Sequence, residues 1–185
     1  MKACGWDLYD FKIAEFREAR LRLPAAINVQ FKSCSSNGPR YLIKTPNKTV
    51  ALQDGWLEGD KSTSYSFAKE QPAPDYWVFS YRGYEWSGMT FVNKQTGALK
   101  NTPGNSCGAP AFNSSGNRLL VRCVREYGQE ESDLYFVGLG SEIKIKNIDD
   151  SIPEGELAVI WKNPKTVIVG FVTEKRTVSK TYRIP

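Results

Sequence analysis

The sequence predicts a mainly β protein built of antiparallel hairpins, with one short N-terminal helix. Three observations carry that expectation. After Pro24, short runs of alternating apolar residues recur at a spacing of about ten residues. Clusters of Gly, Pro, Asn and Ser separate these runs. Helix–strand alternation is missing, which argues against a parallel α/β sheet. The 185 residues are read as a single domain, long enough to bury a substantial core.

The helix is placed in residues 7–23. Asp10–Arg22 is rich in helix formers, Ile13, Phe16, Ala19 and Leu23 approximate one apolar face, and Pro24 ends it. The alternation Arg20-Leu21-Arg22-Leu23 keeps a strand open as the competing reading there. Four β units follow, at 26–68, 76–104, 108–148 and 156–185. In the first, Ile27–Phe31 alternates with period two. Tyr41–Lys44 and Thr49–Leu52 flank Pro46-Asn47-Lys48 as a hairpin. In the second, Tyr76–Tyr81 and Met89–Val92 pair around Arg82–Gly88. Ala109–Asn113, Arg118–Val124, Leu134–Leu139 and Ile143–Ile148 make up the third. Leu157–Trp161, Thr166–Thr173 and Val178–Ile184 make up the fourth.

The turn Asn113–Asn117 places Phe112 opposite Arg118. In an antiparallel pair, facing residue numbers keep a constant sum. Cys107 and Cys123 share that sum, so they face each other across the hairpin within disulfide range. Cys4 and Cys34 then pair by elimination. Two buried free thiols that align by coincidence are the alternative for Cys107 and Cys123. Two disulfides imply an oxidising compartment, so the protein is expected to be periplasmic or secreted. Met1–Trp6 lacks the apolar stretch of a signal peptide, and the signal is expected to lie outside this sequence. No apolar run reaches 18 residues, so no membrane-spanning helix is expected.

Gly108–Val121, with its Pro, aromatic, short Gly-ended turn and apolar strand, resembles the opening of a TolB- or WD-type β-propeller blade. Asp133–Val137 resembles the third strand of the same blade, and Met89–Gly97 a third strand with its exit turn. Leu157–Trp161, Val167–Val172 and Val178–Ile184 resemble a last unit. The resemblance implies a partial or small propeller-like assembly. It implies no particular function.

Histidine is absent, which removes the Ser-His-Asp and Cys-His arrangements and the usual near-neutral base. No cysteine pair has C-x-x-C spacing, and no metal or cofactor site is indicated. Gly104–Pro110 superficially resembles the nucleophile segment of trypsin-like serine proteases. Ser106 has no standard base, however, and reads as a turn residue.

Charge is segregated. Residues 1–125 hold 17 basic and 10 acidic side chains, 126–156 hold 2 and 9, and 157–185 hold 6 and 1. The acidic residues Asp149, Asp150, Glu154 and Glu156 are expected in a solvated loop. Paired carboxylates there could instead hydrolyse glycosides or bind calcium. Lys162, Lys165, Lys175, Arg176, Lys180 and Arg183 read as the solvent face of a sheet, not a nucleic-acid site.

Tyr76, Trp77, Phe79, Tyr81, Tyr84, Trp86 and Phe91 crowd within sixteen positions, and alternate ones are expected to point away from the core. Arg82–Gly88 concentrates Arg, Tyr and Trp, the types that dominate interface hot spots. The expected function is therefore a non-enzymatic module that binds a protein, with Arg82, Tyr84, Glu85, Trp86 and Ser106 at the contact. In general character it is similar to small β-rich periplasmic immunity proteins, which neutralise a bacterial effector enzyme by plugging its cleft. A carboxylate-dependent glycan-acting enzyme, or a carbohydrate-binding module using Trp56, Trp86 and Trp161, is the alternative.

Overall fold

A computed structural model describes residues 23–30, 37–55, 63–68, 73–83, 86–102, 106–124, 131–153, 156–172 and 177–184. The helix expected at 7–23 falls outside these residues except for Leu23, and Cys4 and Cys34 also lie outside them. The described residues are β throughout and include no helix.

Four antiparallel groups follow one another in sequence. The first is the meander β1 (Ile27–Gln30), β2 (Asn37–Lys44) and β3 (Thr49–Gly55). The second is β4 (Ser64–Phe67), β5 (Tyr76–Arg82), β6 (Ser87–Asn93) and β7 (Leu99–Asn101). The third holds β9 (Ala111–Phe112), β10 (Arg118–Val124), β11 (Glu131–Leu139) and β12 (Ile143–Pro153). The last is the meander β13 (Glu156–Asn163), β14 (Thr166–Val172) and β15 (Thr177–Arg183). The two-residue strand β8 (Ser106–Cys107) joins the second and third groups into one nine-stranded sheet. It pairs antiparallel with β10 and parallel with β6 through Ser87 and Ser106.

Three apolar layers lie between successive groups. Phe79 and Val92 pack on Ile27, Tyr41, Ile43, Val50 and Leu52 of the first meander. On the opposite face, Tyr76, Val78, Met89 and Phe91 meet Leu119, Val121, Cys123, Val137 and Leu139. Leu120, Leu134, Phe136 and Ile152 cover Val167, Val169, Phe171 and Ile184 of the last meander. The central strands are thus buried on both faces. This corrects the expectation that alternate aromatics of 76–91 face away from the core. Tyr76 and Phe91 fill one layer and Phe79 the other, because alternation exposes one face only when nothing covers it.

The Cys107–Cys123 disulfide is present, with Cα atoms 4.0 Å apart. The register near its turn differs from expectation: Phe112 faces Leu119, not Arg118. The Asn113 N–H donates to Arg118 O, and Asn113 Oδ1 accepts from Arg118 N–H at 3.1 Å. Gly116 supplies the left-handed residue, with φ 68°. Between the turn and the cysteines, Gly108–Pro110 holds one more residue than the facing stretch of β10, which restores Cys107 opposite Cys123.

The acidic segment also departs from the expected loop, since Asp149 and Asp150 lie inside β12. A bulge places Asp149 opposite Leu134, on the face turned to the last meander. Asp149 Oδ2 there accepts Lys180 Nζ at 2.8 Å and Tyr182 Oη at 2.6 Å, tying β12 to β15. Glu154 lies outside the described residues.

Burial, then the Asp149 hydrogen bond and charge, hold the Tyr182 phenol well above its ordinary value of 10.0. A raised folded value favours the protonated, folded form. Its stabilisation is complete below about pH 10 and is lost as pH rises further. Tyr182→Phe is therefore expected to flatten the fall in stability between pH 9 and pH 11, read by urea denaturation at each pH. An unchanged slope would remove Tyr182 as its source.

Candidate functional site

An open pocket of about 650 Å³ lies between β4, β5 and β6 on one side and β8 with residues 108–110 on the other. Strand register builds it. Ser64 faces Arg82, Arg82 faces Ser87, and Ser87 faces Ser106. These four form one cross-strand row, because opposed residues project to the same face. The next row inward is Ser66, Ser80 and Met89. Ala68 and Val78, joined by the Ala68 N–H to Val78 O bond, follow. The pocket lining therefore grades from hydroxyls and a guanidinium at the rim to aliphatic groups above the core layer that contains Val78, Met89 and Phe91.

Trp86 forms one wall. Its ring lies 5.4 Å from the Tyr81 ring, and the Gly83 N–H donates to Trp86 O at 2.6 Å. A Cβ at Gly83 would fall 2.2 Å from the indole Cε2, so only glycine lets the ring lie on this backbone. The opposite wall is Cys107–Pro110. The disulfide anchors it to β10, and Ser87 Oγ bonds Cys107 O at 3.2 Å and lies 3.3 Å from Ser106 Oγ. Ser106 thus sits in a strand and not in the expected turn.

Beside the pocket, β4 is the terminal strand of the nine-stranded sheet. Side chains of the first meander occupy its outward backbone groups at Tyr65. Buried Asp54 accepts the Tyr65 N–H at 2.8 Å, and Tyr41 Oη donates to Tyr65 O at 3.0 Å. This edge is closed to strand addition at Tyr65. Burial, then Asp54 and Tyr81, push the Tyr65 phenol up.

Arg82, Trp86 and Ser106, singled out in the sequence, line this one pocket together. Tyr84 and Glu85 lie outside the described residues, as does Trp56. Trp161 is elsewhere, packed against the last core layer with its indole N–H directed to Ala111 O at 3.4 Å. Sequence reasoning missed Ser64, Ser66, Ser80 and Met89. The period-two pattern Ser64-Tyr65-Ser66-Phe67 is the signal that marks a strand with hydroxyls on one face.

No protein-family model matches the chain, and no curated protein matches it. Arg82 is the only charged side chain among the described residues that line the pocket. The hydroxyls of Ser87 and Ser106 have no carboxylate, lysine or histidine beside them in that lining.

Proposed function

We propose that the chain is a non-enzymatic binding module that recognises a partner protein through this pocket. One observation carries the reading. Two stretches separated in sequence, one carrying Arg82, Gly83 and Trp86 and the other Ser106–Pro110, line a single concavity. That concavity offers an aromatic wall, a guanidinium and buried aliphatic groups, without an acid–base pair among the described residues that line it. Arg and Trp are the side chains that anchor protein interfaces most often, because they combine large contact area with specific polar contacts.

The finer reading is an inhibitor or immunity protein, with the pocket rim seated over a partner enzyme's cleft. It belongs to a periplasmic or secreted setting, which the Cys107–Cys123 disulfide favours. Among the described residues no helix is long and apolar enough to cross a membrane. The carboxylate-enzyme alternative is weakened by the engagement of Asp149 with Lys180 and Tyr182.

The test is capture of a partner from the source cells by the folded protein, repeated with Arg82→Gln and with Trp86→Ala. Each variant is expected to bind the recovered partner at least about 2 kcal/mol more weakly, roughly thirtyfold in Kd. Trp86→Ala also removes the Tyr81 contact, so Arg82→Gln is the cleaner probe. Unchanged affinity in both variants would overturn the assignment of the pocket. Binding to a glycan array with no protein recovered would favour the carbohydrate-binding alternative.

A further inference from the structure

We infer that the group this pocket takes from its partner is a carboxylate, held by Arg82 with an apolar portion directed toward Val78 and Met89. The inference rests on the protein-binding reading above and names the chemistry of the contact.

It follows from counting donors. Ser64 Oγ donates to Arg82 O at 3.3 Å, and Ser80 Oγ donates to Ser66 O at 3.4 Å. Ser87 Oγ donates to Cys107 O at 3.2 Å, which leaves Ser106 as the donor in their 3.3 Å contact. Four of the five serine protons are thus spent on the protein itself. Among the described lining residues, the side-chain donors still unspent are the Arg82 guanidinium, the Ser66 hydroxyl and the Trp86 indole N–H. No ion pair or side-chain hydrogen bond engages Arg82 among the described residues.

Such a set of donors suits an acceptor-rich anion. A guanidinium presents two parallel N–H groups that match a planar carboxylate. With one cation among the described lining residues, a monoanion is neutralised, whereas a phosphate dianion would keep an uncompensated charge. The rows below Arg82 place Ser80 and then Val78 at steps of about 6.6 Å along β5, two residues each. A carboxylate on Arg82 therefore has the buried Met89 and Val78 further along the same sheet face, which suits an apolar neighbouring side chain.

The carboxylate could belong to an acidic side chain or to a chain terminus, and the experiment separates these sources. Three immobilised pools of randomised hexapeptides are presented to the folded protein. One has amidated ends and no acidic residue. The second is the same with a central Glu, and the third has no acidic residue but a free C-terminal carboxylate. Retention on the second or third pool is expected to exceed that on the first at least tenfold. The excess should vanish in Arg82→Gln and shrink at 0.5 M salt, where charge attraction is screened. An excess on the second pool identifies a side chain, and one on the third a terminus.

Equal retention on all three pools, unaffected by Arg82→Gln, would overturn the carboxylate and leave peptide recognition standing. Retention on none would overturn the inference alone, because partner capture by the wild-type protein decides the protein-binding reading independently. Arg82 is exposed at a strand end. An unchanged circular dichroism spectrum of Arg82→Gln is the control for folding.

Discussion

Replacing both Cys107 and Cys123 with alanine is expected to lower the unfolding free energy by about 3 kcal/mol, the loop-entropy value for a bridge closing roughly 15 residues. The cysteines are 16 positions apart, and Cys123 is only 1% exposed within the central layer. The bridge matters beyond its entropy because β8 is only two residues long. Two register pairs hold it to β10, and a single pair holds it to β6. Without the covalent link, the wall carrying Ser106 has little else to hold it.

Urea denaturation should show the midpoint of the double variant shifted down, and the wild-type protein in reductant should fall at least as far. Amide exchange at 106–109 should accelerate more than exchange in β5. An unchanged midpoint would mean that packing alone secures β8. Pocket binding should weaken in the same samples, since the Ser87–Ser106 contact depends on that wall.

A second large loss is expected from Phe91→Ala, about 3–5 kcal/mol. Phe91 is fully buried, lies opposite Val78 in the strand pairing, and belongs to the layer beneath the pocket floor. Its strand, β6, pairs with β5, β7 and β8, so collapse around the void is restrained on every side. At 2–4 °C per kcal/mol for a chain of this size, the melting temperature should fall by roughly 10 °C. Leu99→Ala is the control. Leu99 is 46% exposed on the short strand β7, and its truncation is expected to stay within about 0.5 kcal/mol. Comparable losses from both variants would contradict the layered core.

Much of the fold was legible in local sequence. Tyr41–Lys44 and Thr49–Leu52 alternate around a Pro-Asn-Lys turn, and they pair as that pattern predicts, Lys44 opposite Thr49. The disulfide was also legible, although Phe112 faces Leu119 and not Arg118. The Asn113 cap shifts the turn register by one, and the additional residue in Gly108–Pro110 shifts it back. A count along the chain cannot see either shift, because a side-chain cap and a bulge change register without changing composition. The acidic run departs from its expected loop for a related reason. Its charges looked solvated, yet Lys180 and Tyr182 on a strand about thirty residues away engage Asp149.

The site divides the same way. Arg82, Trp86 and Ser106 stood out in sequence, by residue type for the first two and by its glycine-flanked loop for the third. Hydroxyl alternation along 64–67 was present but weak in four residues. Period-two patterning and turn residues specify strands because those preferences act within a few residues. Which side chains share a pocket depends on pairing between strands more than twenty residues apart, Ser64 with Arg82 and Ser87 with Ser106 by way of Cys107 and its disulfide. Whether Arg82 keeps its charge uncompensated depends likewise on what the folded chain brings beside it, which no local pattern encodes.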